Sequence, residues 1–446
     1  MHKVNFMVIK IDEKVRRTLV ELNPFWSGPF QTNYKPREIY SKIEKFLDEP
    51  QIISLCGLRR VGKTTILEKI ITELLQKNPA DRIMYFSFDE FHETELWNII
   101  DTFKEIHVKE PKFLFLDEIQ KLSNWAEKVK TLYDTKKYKI FISGSESLFL
   151  KKGATESLAG RIYEFEVKKL NFAEHLQFRE KNELASKPLL HETELRSEFN
   201  KYVTTAGFPE LIGKEDHTII KEYIKKLIEK IIYVDIPTIY PIENPEKLKT
   251  ILEIITENPG MLVDLTSFSQ ELGISRQSLS KYFEYLENAH LLVKIYNYSK
   301  NRSTSEKKLK KFYPTITTPA ITNTEETTQG KIIENLCVLD LNAKFFWRDK
   351  QKNEVDIILQ NKETTPIEIK YRNQPQTNKG IEKFCKKYHC KKAIILTKNT
   401  RKKTQTTQWI PVHEYLLTQT KKQNNTTNPP LEMATATKLK RKLNEN

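Results

Sequence analysis

The sequence predicts an α/β protein, and three observations carry that expectation. An apolar run of strand length, residues 52–56, leads into a glycine-bounded loop and then an amphipathic helix. A second apolar run, residues 113–116, ends in two carboxylates, Asp117 and Glu118. Beyond residue 330 short apolar runs again alternate with helical spacing, as in a compact α/β unit.

The first loop reads Gly57-Leu58-Arg59-Arg60-Val61-Gly62-Lys63-Thr64-Thr65 and fits G-x-x-x-x-G-K-[ST] without a mismatch. After it Ile66, Leu67, Ile70, Ile71, Leu74 and Leu75 recur with helical spacing, which is the context such a phosphate-binding loop needs. Glycines let the backbone wrap closely around phosphate, and the following helix N-terminus adds partial positive charge. All nine loop residues are therefore candidate ATP contacts. Lys63 is expected at the β- and γ-phosphates and Thr64 on Mg²⁺.

Residues 1–48 read as a lead-in, with Pro24-Phe25-Trp26 and Pro29-Phe30 packing under the first domain and a helix over 37–47. The nucleotide domain spans 49–178. It should hold a strand at 82–88, a helix at 93–108 and a strand at 112–118 that places acids beside the phosphate loop. Asp117 is assigned to Mg²⁺ through water and Glu118 to the attacking water, the division of labour phosphoryl transfer asks for. An Asp-Glu N-cap for the helix containing Trp125 is the simpler alternative. A strand at 138–142 ends in Ser143-Gly144-Ser145, where Ser143 is a candidate γ-phosphate sensor. Leu158-Ala159-Gly160-Arg161 precedes a fifth strand at 162–167. Arg161 reads either as a finger acting in trans or as a surface ion-pair partner.

These motifs together resemble the AAA+ ATPases of archaea and bacteria that carry a C-terminal domain of unknown function. Ala206-Gly207-Phe208-Pro209-Glu210 resembles that family's Gly-Gly-Phe-Pro-Glu turn, and Tyr233-Val234-Asp235-Ile236 its Tyr-x-Asp-Ile helix end. Two departures stand out: Ala206 replaces the first glycine, and Lys169-Leu170-Asn171-Phe172 lacks a proline. The resemblance runs from about residue 36 to 417. It implies a P-loop AAA+ parallel sheet with a helical lid, ATP and Mg²⁺ as ligands, and ATP hydrolysis.

Residues 179–247 read as the lid or bridge, with Ile219, Ile220, Tyr223, Ile224 and Leu227 on one helix face. Residues 248–300 then change scale. Helices at 248–257 and 265–272, a Gly273-Ile274 turn, a Ser275-capped helix to 288 and a strand at 293–298 predict a winged helix-turn-helix. Its third helix offers Arg276, Gln277, Ser278 and Lys281 to DNA, although Glu284 and Glu287 dilute the basic face and winged helices also contact proteins. Residues 301–329 are polar and read as a linker.

The C-terminal unit, 330–417, should contain a helix with Glu334, strands at 354–359 and 366–371, a helix with Ile381 and Phe384, and a strand at 393–396. Asp356, Glu368 and Lys370 resemble a PD-(D/E)-x-K nuclease core, which implies a restriction-endonuclease-like α/β domain. Alternation puts Glu368 and Lys370 on one strand face. Asp356 and Glu368 are the metal-ligand candidates, Glu334 a completing carboxylate and Lys370 the group that positions the nucleophile. A fold that binds DNA without cutting it, or a strand whose solvent face is merely polar, explains the same pattern.

Composition bounds the rest. A net charge of +15 favours an anionic partner, with DNA first, yet ten Lys/Arg against three Glu between Thr397 and Asn446 place +7 near a tail, 418–446, expected to be disordered. Four cysteines, at 56, 337, 385 and 390, are too scattered for a disulfide framework, and His389 between the last two has no second ligand pair. No apolar run approaches the roughly 20 residues of a membrane span, and residues 1–17 lack a secretory core, so a cytoplasmic protein with no membrane partner is expected. Homo-oligomerisation stays open. The functional expectation is an ATPase acting on DNA; a nucleotide-gated regulatory or scaffolding protein that cleaves nothing is the alternative.

Overall fold

The computed structural model describes residues 13–145, 158–319, 321, 326–360, 363–372 and 379–425. Among them the strands form two sheets. The first contains β1 (Ile52–Cys56), β2 (Ile83–Ser87), β3 (Phe113–Asp117), β4 (Lys139–Gly144) and β5 (Ile162–Glu166), ordered β2-β3-β4-β1-β5 and parallel throughout. β1 and β3 are buried at every position, as strands covered by helices on both faces must be. The helix Lys63–Leu75 covers one face with Ile66, Leu67, Ile70 and Ile71. The helix Leu96–His107 buries Ile99, Ile100 and Phe103 in the cluster on the other.

The lead-in packs as expected, and its helix is shorter. Phe25 is buried, and Trp26 donates its indole N–H to Ile83 O at 3.0 Å while sitting edge-on to Phe103. Asn23 pairs both of its amide groups with the backbone of Tyr85, satisfying part of the exposed edge of β2. Only Tyr40–Ile43, followed by a 3₁₀ turn, is helical within the expected 37–47.

The bridge contains the helices Glu192–Thr204 and His217–Lys230. Ile220, Ile224 and Leu227 are buried on the second, Tyr223 is half-buried, and Ile219 is exposed, so the apolar stripe is narrower than its sequence implies. Next comes one π-helical turn, Ile231–Asp235, then Ile236–Ile239.

The order that follows is helix Pro245–Glu257, β6 (Met261–Val263), helix Leu265–Glu271, helix Arg276–Asn288, β7 (Leu292–Asn297) and β8 (Lys310–Pro314). The expected polar linker at 301–329 is therefore corrected. It contains the helix Arg302–Lys307 and all of β8, which lies between β6 and β7 with antiparallel pairing to both. Lys310 and Lys311 made β8 look like solvated loop; Lys311, Phe312 and Tyr313 are in fact buried.

The second sheet then continues through β9 (Phe345–Arg348), β10 (Glu354–Gln360), β11 (Thr364–Lys370), β12 (Ala393–Thr397), β13 (Lys402–Lys403) and β14 (Thr407–Pro411), in the order β13-β14-β12-β11-β10-β9-β7-β8-β6. β7 pairs in parallel with β9, so the two expected C-terminal domains share one sheet. The helix Glu326–Asp340 precedes β9, and Lys379–Tyr388 packs on β10 and β11. The last helix, Val412–Asn425, runs past the expected boundary at 417, and the rest of that tail lies outside the described residues.

Packing ignores the same boundaries. One cluster joins Ile66 and Ile70 behind the phosphate loop to Ile224 of the bridge and to Leu248 and Phe283 beyond it.

Candidate functional site

β1 delivers the chain into the phosphate loop, and glycine is required at its first turn. Gly57 has φ +137°, and a Cβ there would lie 2.3 Å from Val167 O. Gly62, at φ +95°, starts the helix Lys63–Leu75, whose N-terminal amides face the loop. Leu58 and Val61 are buried and anchor the loop, Thr65 is half-buried, and Thr64 is open to solvent. Lys63 curls back, its ammonium donating to Gly57 O at 2.9 Å and Leu58 O at 3.0 Å, and burial lowers its pKa.

Three strands bring the partners together. Thr64 Oγ1 donates to Asp117 Oδ2 at 2.7 Å, Tyr85 OH donates to the same oxygen at 2.7 Å, and Ser143 Oγ donates to Asp117 Oδ1. Asp117 ends β3, Tyr85 sits on β2 and Ser143 on β4, so the expected convergence at the C-terminal edge of the sheet is present. Burial and then Asp117 hold the Tyr85 phenol protonated by raising its pKa. Glu118 follows in a left-handed conformation, φ 52°, and accepts from Gln120 Nε2 at 2.6 Å. Gln120 also donates to Ser145 Oγ at 3.0 Å, which fixes the carboxylate against β4. The acids are thus not an N-cap for the helix Trp125–Asp134, whose N-cap position is Asn124.

Two further groups hold the loop. Arg37 donates to Val61 O at 2.8 Å, to Lys168 O at 2.6 Å and to Glu174 Oε1 at 2.9 Å, with both side chains of the ion pair buried. Glu174 is placed by a capping box in which Asn171 accepts from Glu174 N and donates its own N–H back to the Glu174 carboxylate. The two loop arginines point to the bridge. Arg59 donates from Nε and Nη2 to the carboxylate of Asp235, and Arg60 Nη1 donates to Glu210 Oε2 at 2.7 Å. Tyr85, Arg37 and Glu174 had no local signal in the sequence. The arginine pairings had one, since two cations in a loop built for phosphate call for counter-ions nearby.

Arg161 is not brought to this site. Its carbonyl accepts from Ile52 N at the start of β1, the opposite end from the phosphate loop, and its guanidinium pairs with Asp134 at 3.0 Å. On the helix Arg276–Asn288, Arg276, Gln277 and Lys281 are exposed. Ser278 is engaged by the cap: its N–H donates to Ser275 Oγ at 3.0 Å and the two hydroxyls lie 2.9 Å apart.

The C-terminal candidates do gather, with a cation among them that sequence reasoning missed. Lys370 Nζ lies 2.7 Å from Glu368 Oε1, and Asp356 Oδ2 accepts from Ile369 N at 2.8 Å. Lys311, reaching in from β8, pairs with Glu354 at 2.6 Å and Glu334 at 3.3 Å, while Tyr313 OH donates to Glu334 at 2.7 Å. Burial opposes the charge on Lys311, yet Glu334, Asp356 and Glu354 raise its pKa. Burial, then Glu368 and Glu334, push the Asp356 carboxyl well above the usual range. Among the described residues no group of three or more His, Cys, Asp or Glu stands close enough to hold a metal, and the two carboxylates expected to share one, Asp356 and Glu368, have lysines beside them: Lys370 pairs with Glu368 and the charge of Lys311 acts on Asp356. Lysines occupy the charge-neutralising role there.

The parallel sheet, its phosphate loop and the Thr64–Asp117–Ser143 convergence define an AAA-type ATPase domain. A family model described as "AAA domain" matches residues 49–176, and two models described as domains of unknown function, DUF8612 and DUF4143, match 196–315 and 329–415. The middle match includes β8, in keeping with the corrected boundary. "Uncharacterized protein MJ1544" of Methanocaldococcus jannaschii is 30% identical over 375 residues, 79% of this chain and 82% of that one, and the chain belongs to its family. An uncharacterized protein of Haemophilus influenzae is 28% identical over 274 residues, 59% of this chain and 66% of that one. Among solved structures, the Walker-type ATPase PABY2304 of Pyrococcus abyssi aligns at 17% identity over 66% of this chain and 97% of its own, with a TM-score of 0.42. The Aeropyrum pernix ORC1 protein in complex with DNA aligns at 13% identity over 70% and 95%, with a TM-score of 0.32. Among the described residues no helix is long and apolar enough to cross a membrane.

Proposed function

We propose that this protein binds Mg-ATP and hydrolyses it, and that its C-terminal half engages DNA without cutting it. The observation that carries the first part is the meeting of Thr64, Asp117 and Ser143 beside a loop whose lysine, among the described residues, hydrogen-bonds to backbone carbonyls alone. Magnesium suits the oxygen donors that Thr64 and Asp117 bring together, and bound there it would neutralise phosphate charge. Lys63 exchanges the carbonyls of Gly57 and Leu58 for phosphate oxygens. Tyr85 and Ser143 hold Asp117 in orientation. Glu118, steadied by Gln120, takes the proton of the attacking water. Any role for Arg161 at a nucleotide belongs to a neighbouring copy in a homo-oligomer.

For the C-terminal half we read 245–314 as a winged helix that presents Arg276, Gln277 and Lys281 to DNA, and the unit behind it as a nuclease-like fold kept as a platform. What favours the platform over an active nuclease is Lys311 among Glu334, Glu354 and Asp356. ATP binding and turnover beside a Lys63→Ala variant test the first part: affinity should fall roughly 100-fold or more, and unaltered affinity would undo the reading. Supercoiled DNA incubated with Mg²⁺ or Mn²⁺ should be retarded yet stay intact. Cleavage that disappears in Asp356→Ala would replace the platform with a nuclease.

A further inference from the structure

The two acids that distinguish the bridge, Glu210 and Asp235, are the partners of the two arginines inside the phosphate loop. The pairs are not equivalent. Arg60 and Glu210 are about half exposed, so their pairing contributes little. Arg59 and Asp235 are nearly buried, at 12% and 6% side-chain exposure, and meet through two parallel hydrogen bonds. The Arg59 guanidinium also lies within the electrostatic reach of Glu118 and Asp89, and its charge is felt at Lys63. It therefore stands between the bridge and the place where the terminal phosphate of a nucleotide would sit.

Asp235 is set in a segment with room to move and a connection beyond it. It closes the π-helical turn Ile231–Asp235, and a cavity of about 170 Å³ opens beside it, lined also by Asp89, Gln120, Lys121 and Val234. Five residues on, Tyr240 stacks on Tyr285 at 4.2 Å, and its hydroxyl accepts from Asn288 Nδ2 at 2.9 Å. Both of those residues belong to the helix that carries Arg276 and Lys281.

We propose that Arg59 reads the terminal phosphate of the nucleotide, exchanging Asp235 for it, and that segment 231–240 passes the exchange to the helix Arg276–Asn288. A γ-phosphate is a stronger anion than one carboxylate and competes for the same bidentate fork, whereas a nucleoside diphosphate ends too early to do so. Release of Asp235 frees the π-turn, and Tyr240 moves with it. The inference rests on ATP binding at the loop, and it makes Arg59 the residue by which the site tells ATP from ADP.

The test pairs fluorescent ATP-analogue and ADP titrations with hydrogen exchange on the full chain. In the parent protein a non-hydrolysable ATP analogue, and not ADP, should speed amide exchange across 231–240 and alter it in 276–288. Asp235→Asn, which keeps the shape and removes the competing charge, should raise analogue affinity about 3- to 10-fold with ADP affinity changed less than about twofold. The analogue should then no longer alter exchange at 231–240. Arg59→Lys, which keeps the charge and loses the fork, should bring the two affinities together. Equal shifts for both nucleotides in Asp235→Asn, or unchanged exchange in the parent on analogue binding, would overturn the proposal while leaving the ATPase reading intact. A parent protein that binds neither nucleotide would overturn both.

Discussion

The phosphate loop and the C-terminal carboxylate cluster are made of the same parts, acids on buried strands with lysines beside them, and they handle charge in opposite ways. At the loop, Asp117 is held by three neutral hydroxyls and the Glu118 amide, and Lys63 by two backbone carbonyls. The lysine and the carboxylate share no ion pair. In the cluster, Lys311 and Lys370 are paired directly with Glu354, Glu334 and Glu368. The loop thus leaves its lysine to backbone carbonyls and gives only its arginines to acids of the bridge, whereas the cluster neutralises its lysines with its own carboxylates.

Replacing each lysine by methionine sharpens the contrast most. Lys311→Met leaves the partly buried Glu334 without its cation, while Glu354 keeps Arg348, and should lower stability by about 2–3 kcal/mol in chemical denaturation. Lys63→Met, by the same measurement, should stay within about 1 kcal/mol, because it strands no opposite charge. Similar losses in the two variants would erase the distinction.

Acid titration probes the uncompensated charge near the loop. Burial, and then Glu174, raise the Glu38 carboxyl to about 7. Its protonated form is the one the fold favours, so its stabilising contribution is complete below about 4.5 and is lost as pH rises through about 7. Glu38→Gln should therefore gain on the parent by about 1–2 kcal/mol between pH 4.5 and 8, read from urea midpoints; a difference independent of pH would show that Glu38 is solvated.

The smallest effect lies between the two regions. Ala206 is held at φ 49°, left-handed for a residue with a Cβ, and Gly207 follows at φ 74°. Ala206→Gly should relieve that strain and stabilise the fold by about 1 kcal/mol at most, since glycine also gains freedom when unfolded, and so raise the melting temperature. A lowered melting temperature would mean that the buried methyl outweighs the strain.

Much of the nucleotide site was legible because its signals are local. Gly57, Gly62, Lys63 and Thr64 lie within eight residues, and a strand ending in Asp117-Glu118 announces itself in one short run. Ser143 was found the same way, at the end of an apolar run. Tyr85 was not, because nothing in β2 distinguishes a phenol aimed at Asp117 from one buried in a core. Arg161 was legible as a cation but not as one at the far end of the sheet. In the C-terminal half the strands of Asp356 and Glu368 were readable from alternation, and Glu368 and Lys370, expected on one face, meet at 2.7 Å.

By itself the sequence determined the phosphate loop, the strands that carry it and the acids beside it, and the capped helix Arg276–Asn288, since each follows from side chains a few residues apart; that the sheet is parallel came from the family resemblance. Only the tertiary structure decided that β8 is a strand, that β7 joins two units into one sheet, that Lys311 enters the carboxylate cluster and that Arg59 meets Asp235 across 176 residues. Those outcomes depend on which buried charges find partners from distant elements, and that balance of desolvation against pairing is set when the elements pack.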